Sequence, residues 1–117
     1  MLYKKGKHII ASLQTTNEAL LLNYSNCKNC INEIIKNFGL VNLGEVYHNF
    51  NPKGFTAVVC LSESHISIHT WPEHNLVNLD IYLSNYLRDN TDAVEQIFNA
   101  LVTFFDANIV NQQTLLR

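Results

Sequence analysis

The stretch that decides the fold is Glu63-Ser64-His65-Ile66-Ser67-Ile68-His69-Thr70-Trp71-Pro72-Glu73. From Ser64 onward polar and apolar residues alternate. His65, Ser67 and His69 share one parity, and Ile66 and Ile68 share the other. A period of two marks a half-buried strand with one polar face. Pro72 ends it, because proline has no N–H to give to a ladder.

The neighbouring segments read in the same terms. Upstream, Phe55–Leu61 is rich in strand formers and follows the turn Asn51-Pro52-Lys53-Gly54. Val41–Phe50 is a further strand, with Gly44 a candidate bulge. Downstream, Leu76–Ser84 alternates again, with Val77, Leu79, Ile81 and Leu83 on one side. Lys5–Leu13 supplies a first strand. Thr15-Thr16-Asn17-Glu18 opens a helical stretch through Leu22, re-capped near Ser25-Asn26. Cys27, Ile31, Ile34, Ile35 and Phe38 then form one apolar helical face, stopped by Gly39. Asn90-Thr91-Asp92 caps a second helix, whose stripe is Val94, Ile97, Phe98, Leu101, Val102 and Phe105. Ile109–Leu116 returns as an edge strand. The order β-α-β-β-β-β-α-β gives an α+β fold, a two-layer α/β sandwich with two helices packed on one face of an antiparallel sheet. The other face is solvated or covered by a second subunit.

The totals bound the rest. A chain of 117 residues, 47% hydrophobic and 15% charged, forms one domain over residues 1–117. The low charged fraction leaves room for an oligomer interface. A net charge of −2 excludes the basic footprint of a nucleic-acid binder. Lys4, Lys5 and Lys7 read as a solvated strand end. No apolar run approaches a membrane span, and Met1–Lys5 lacks the apolar core of a signal peptide, so a cytoplasmic address is expected. Three cysteines do not suggest a disulfide framework. Cys27 and Cys30 have no second pair to complete a zinc site and read as two small buried hydrophobes; no metal is expected.

Ser64 is the first candidate for chemistry. A serine hydroxyl is a weak nucleophile until a base takes its proton, and His65 and His69 are nearby candidates. Attack on the preceding carbonyl, that of Glu63, needs no second reactant, so proximity supplies much of the rate. By residue type alone, Glu63-Ser64-His65 is also an ordinary polar entry to a strand.

The run from Glu63 to Glu73 resembles the processing site of the small prokaryotic S-adenosylmethionine decarboxylases. The resemblance covers nearly the whole chain, weakly at both ends. It implies autocatalytic cleavage between Glu63 and Ser64, giving residues 1–63 and 64–117. It also implies a pyruvoyl cofactor derived from Ser64, whose ketone forms a Schiff base with the substrate amine while the adjacent amide carbonyl acts as electron sink. The implied activity is decarboxylation of S-adenosylmethionine to the aminopropyl donor for spermidine synthesis, by a homodimer of processed protomers. His8 matches a histidine of the family's opening strand. His48-Asn49-Phe50, Pro52 and Gly54 resemble its His-x-Phe-x-Pro-x-Gly segment. By that match Phe50 stacks on the adenine and Glu73 accepts hydrogen bonds from the ribose. The match also implies that Thr56 assists processing together with His69, which removes the serine α-proton. On a regular strand Ser64 and His69 have opposite parity, so either the strand breaks near Ser64 or His69 reaches from a bend.

One position departs from the family. Its pattern Asp-x-Phe-Thr-Cys-Gly becomes Asp80-Ile81-Tyr82-Leu83-Ser84-Asn85, and Ser84 stands where the proton-donating cysteine belongs. A thiol titrates near about 8.5, whereas a serine hydroxyl is a far poorer acid. Ser84 acting slowly or through water, or another acid such as Tyr82, His74 or Cys60, would keep the activity. Two other readings stay open: the same pyruvoyl chemistry on ornithine or arginine, with an acidic pocket, and an unprocessed homologue with a binding or regulatory role.

Overall fold

The computed structural model describes residues 2–117. Six strands form one antiparallel sheet: β1 (Lys7–Gln14), β2 (Asn42–Asn49), β3 (Phe55–Leu61), β4 (Ser64–Trp71), β5 (Leu76–Leu83) and β6 (Asn108–Leu116). Their spatial order is β2-β3-β4-β5-β1-β6. Helices α1 (Ser25–Asn37) and α2 (Thr91–Phe104) are the two long helices among the described residues.

The period-two pattern sets the layers. Ile9, Ala11 and Leu13 of β1, Ala57 and Val59 of β3, Ile66 and Ile68 of β4, and Leu79 and Ile81 of β5 are buried on the helix side. Cys27, Ile31 and Ile34 of α1 and Val94, Ile97, Phe98 and Leu101 of α2 close that core from above. The opposite residues, including Ser12, Thr56, Val58, His65, Ser67, His69, Asn78, Asp80 and Tyr82, line an open sheet face with no helix on it.

Two hairpins carry the decisive stretch. Leu61 pairs with Ser64, so β3 and β4 are joined through Ser62 and Glu63 alone. The short turn Pro72–His74 links β4 to β5 and closes on Asn75 in the left-handed region, which asparagine tolerates. Gly39 stops α1 at φ +62, a conformation that costs glycine little. Gly44 sits beside a register shift in β2, as its bulge reading required.

Three details differ from the sequence reading. The first strand begins at Lys7 and not Lys5, and Lys7 pairs with Glu95 of α2 at 2.5 Å and is not freely solvated. Glu18–Leu21 forms a 3-10 turn and not part of an α-helix. Thr15 Oγ1 accepts the Asn17 N–H there but donates to the Asp106 carbonyl, tying this turn to the far end of the chain. Asn90 precedes α2 without capping it; its side chain is drawn away to Glu63 and the Ser84 carbonyl.

Candidate active site

Ser64 opens β4 with its backbone at φ +124, a region L-residues rarely adopt. Such a conformation costs on the order of 1–3 kcal/mol and persists where surrounding contacts impose it. Those contacts are present. The Ser84 N–H donates to the Glu63 carbonyl at 2.7 Å. The Glu63 carboxylate, 7% exposed, takes a forked pair from Arg88, Nε to Oε2 at 3.1 Å and Nη2 to Oε1 at 2.9 Å. Asn90 Nδ2 donates to Oε2 as well. Arg88 in turn donates to the Phe38 carbonyl at the end of α1. Burial by itself would push the Glu63 carboxyl up. Hydrogen bonds from Arg88 and Asn90, with the Arg88 charge, outweigh it and leave the group below its ordinary value. The Glu63–Ser64 bond is thus gripped from both sides: a fixed side chain before it, a polarised carbonyl at it.

A second group of residues lies at the other end of the same strand. Thr56 and His69 are cross-strand partners, and Thr56 Oγ1 is hydrogen-bonded to His69 Nδ1. Both border a cleft of about 650 Å³ that also exposes Phe50, Trp71 and Glu73. Phe50 is half exposed, held edge-on to His48 at 4.8 Å between ring centres, and does not plug the hairpin core. The cleft offers two aromatic faces and one carboxylate. It is not the acidic pocket a basic amino acid would require.

β4 resolves the parity question without a break or bend at His69. Its pairing with β3 and β5 is continuous from Ser64 to His69. Five residues at about 3.3 Å each separate the two positions by roughly 16 Å. Within one chain, Ser64, Glu63 and Ser84 come together, and so do Phe50, Thr56, His69 and Glu73. The two groups do not meet.

Between them the open face carries His8, His65 and Asp80. His8 Nε2 and His65 Nε2 lie 2.6 and 2.9 Å from the same Asp80 oxygen. Burial alone would raise the Asp80 carboxyl; hydrogen bonds from His65 and His8 and their charge bring it below its ordinary value. Tyr82 packs beside both rings.

The model of the S-adenosylmethionine decarboxylase family matches residues 7–117. The chain belongs to this family. An S-adenosylmethionine decarboxylase proenzyme from Archaeoglobus fulgidus is 40% identical over 100 residues, covering 86% of each chain. Another, from a Hydrogenobaculum species, is 35% identical over 96 residues, covering 82% of this chain and 72% of the relative. The crystal structure of the adenosylmethionine decarboxylase from Aquifex aeolicus superposes with a TM-score of 0.79 at 26% identity, over 99% of this chain and 91% of the other. The α+β sandwich expected from the residues is therefore the family fold.

Membership leaves the Ser84 departure in view. Of the substitute acids, Tyr82 lies on β5 two residues before Ser84, which follows the end of that strand, and Cys60 is exposed on β3 opposite His65. His74 lies in the turn at the far end of β4. The sequence reading missed Arg88 and Asn90, which anchor Glu63 from 25 and 27 residues away. It missed Trp71 as a cleft wall and Asp80 as a common acceptor for two histidines. No spacing signal ties such residues together, because separate strands and loops deliver them. Cys27 and Cys30 fit the structural reading: burial, with the neighbouring Cys30 adding for Cys27, pushes the Cys27 thiol far up, and burial raises Cys30 as well, so neither is a ready thiolate. No described helix is long and apolar enough to cross a membrane.

Proposed function

We propose that this protein is a self-processing decarboxylase of S-adenosylmethionine, with a pyruvoyl group made from Ser64. The observation that carries the reading is the Glu63–Ser64 junction: a serine at φ +124 in a two-residue hairpin, its preceding carbonyl held by the Ser84 N–H. This N–H stabilises charge that develops on the carbonyl oxygen when Ser64 Oγ attacks. The attack moves the Glu63 acyl group from nitrogen to oxygen. It also releases the strained peptide geometry. Removal of the Ser64 α-proton then expels the Glu63 carboxylate by β-elimination, and tautomerisation and hydrolysis of the dehydroalanine release ammonia. Glu63 leaves as a carboxylate on a segment still anchored through Arg88 and Asn90.

In the processed protein the pyruvoyl group supplies the electron sink for loss of carbon dioxide. The chain's own residues bind and orient. Phe50 and Trp71 offer faces for a purine, and Glu73 offers acceptors for ribose hydroxyls. Ser84 occupies the proton-donor position.

Because β4 holds Ser64 and His69 roughly 16 Å apart, the site is composite. Two copies associate through their uncovered sheet faces or edges. Ser64 and Ser84 of one copy then work with Thr56, His69, Phe50 and Glu73 of the other.

Denaturing intact-mass measurement tests the processing: two fragments split between residues 63 and 64, the second beginning with a pyruvoyl group in place of Ser64, are expected. A persistent single chain with no carbon dioxide released from carboxyl-labelled S-adenosylmethionine would overturn the proposal. Co-expression of Ser64→Ala with His69→Ala chains tests the composite site. Cleavage of the His69→Ala chain in the mixture, absent when it is made alone, is expected. Its absence in a confirmed mixed dimer would place both residues' work within one chain.

A further inference from the structure

We propose that Arg88 and Asn90 are positioning residues for self-cleavage: through the Glu63 side chain they hold the Glu63–Ser64 peptide where the Ser64 hydroxyl meets the Glu63 carbonyl carbon. The inference rests on the self-processing reading and names the residues that set its first step.

The argument starts from φ +124 at Ser64. This angle is the turn about N–Cα from the Glu63 carbonyl carbon to the Ser64 carbonyl carbon. In an L-residue Cβ lies a third of a turn from its own carbonyl carbon. At this φ, Cβ is therefore almost eclipsed with the Glu63 carbonyl carbon. The extended φ of an ordinary strand swings Cβ well away. The acyl shift passes through a ring of the Glu63 carbonyl carbon and Ser64 N, Cα, Cβ and Oγ. The C–O bond forms as Oγ loses its proton, and the C–N bond breaks as the amine gains one. Such a ring closes only with Cβ on the carbonyl side, so the strained backbone is a near-attack geometry.

Two fixed pieces meet at that torsion. On one side, β4 is paired to β3 and β5 from Ser64 onward. On the other, the Glu63 carbonyl accepts the Ser84 N–H at 2.7 Å. One hydrogen bond leaves a peptide plane free to tilt, and the Glu63 side chain removes that freedom. Asn90, 2% exposed, donates through Nδ2 both to Glu63 Oε2 and to the Ser84 carbonyl, the latter at 2.9 Å. The Glu63 carbonyl, the Ser84 peptide groups, Asn90 and the Glu63 carboxylate thus close one ring of hydrogen bonds. The Asn90 N–H donates to Asn85 Oδ1 at 2.7 Å, which fixes Asn90 in turn. Arg88 locks the carboxylate from outside with its fork at 3.1 and 2.9 Å, and ties it to the Phe38 carbonyl at 2.9 Å. A planar fork sets the orientation of both carboxylate oxygens, which an ammonium does not. Arg88 and Asn90 touch none of the reacting atoms and act through Glu63.

The test follows cleavage of the full chain after a short pulse of cell-free synthesis, by denaturing mass spectrometry with and without hydroxylamine. Arg88→Ala, Arg88→Lys and Asn90→Ala are compared with the parent chain and with Ile31→Val, a core change remote from the junction. Folding of each is checked by melting in the Ser64→Ala background. Arg88→Ala and Arg88→Lys should each cleave about tenfold or more slowly, since small misplacements of reacting atoms cost that much. The Lys variant keeps the charge and loses the fork, and Arg88 is 44% exposed, so neither change endangers folding. Asn90→Ala, where it folds, should slow as well, and Ile31→Val should stay within twofold of the parent. The uncleaved chains should resist hydroxylamine, because the block precedes the ester. Both Arg88 variants within twofold of a cleaving parent would overturn the inference alone. So would a hydroxylamine-sensitive ester accumulating in them, or equal slowing in Ile31→Val. A parent chain that never cleaves would sink the self-processing reading, and this inference with it.

Discussion

The backbone N–H of Ser84 donates to the carbonyl of Glu63 at 2.7 Å, so the residue in the family's proton-donor position also grips the bond expected to break. On the proposed function one residue would serve two steps with two different atoms, its main chain in processing and its side chain in turnover.

Those roles separate under mutation. Ser84→Cys keeps the N–H and supplies a titratable thiol. It should leave the rate of self-cleavage within about twofold and raise kcat by about tenfold or more, the low end of what a positioned acid contributes. Ser84→Ala should also cleave normally. Mass spectrometry of the cleavage time course beside steady-state carbon dioxide release reads the two effects independently. Slowed cleavage in Ser84→Ala would show that the hydroxyl, not the amide, acts in processing.

Gly6 packs against the same junction from β1's side. A Cβ there would fall on the Leu83 carbonyl oxygen and lie 3.1 Å from Ser84 Cα. Gly6→Ala must push backbone, not a flexible side chain, and so should lower stability by about 2 kcal/mol. It should also slow cleavage by displacing the Ser84 N–H from Glu63. A denaturant melt of the Ser64→Ala background isolates the first effect from the second.

The Arg88–Glu63 pair predicts a pH dependence. The folded-state Glu63 carboxyl is depressed from its ordinary 4.5. Its contribution to stability is therefore present above the unfolded value and lost as pH falls through the lower folded value. Arg88→Ala should destabilise by about 1–2 kcal/mol at pH 7, the lower range for a buried carboxylate losing its partner, because Arg88 is 44% exposed and screened. The difference should shrink as pH falls through the depressed folded value, where the folded state too becomes protonated. Chemical melts between pH 3 and 7 measure it. A difference that is constant across that range would assign the loss to packing.

Phe50 and Glu73 border the cleft but not the Glu63–Ser64 junction. Phe50→Ala and Glu73→Gln should each raise KM for S-adenosylmethionine by about tenfold, equivalent to about 1.4 kcal/mol, with cleavage complete. An unchanged KM in both would remove the cleft from substrate binding.

Much of this was legible in the chain. Ile66 and Ile68 against His65, Ser67 and His69 announced β4, because a strand's side-chain period survives any fold around it. The stripes of α1 and α2 were legible for the same reason. Asn90 was misread as a cap, since helix capping is local while its actual partners, Glu63 and the Ser84 carbonyl, arrive through tertiary packing. Glu18–Leu21, read as a helical stretch, is a single 3-10 turn; Thr15 at its start is pinned to Asp106 and Asn75.

The sequence by itself determined the alternation of β4, the two apolar helix faces, the hairpin turns and the family motif around Ser64. These are properties of neighbours along the chain, and local periodicity and motif spacing encode them. Only the tertiary structure decided that Ser64 and His69 stand at opposite ends of one unbroken strand. It alone brought Arg88 to Glu63 across 25 residues, and His8 to Asp80 across 72. The reason is that sheet register brings residues together by strand order, and β1 lies beside β5 only after the chain has passed through three other strands.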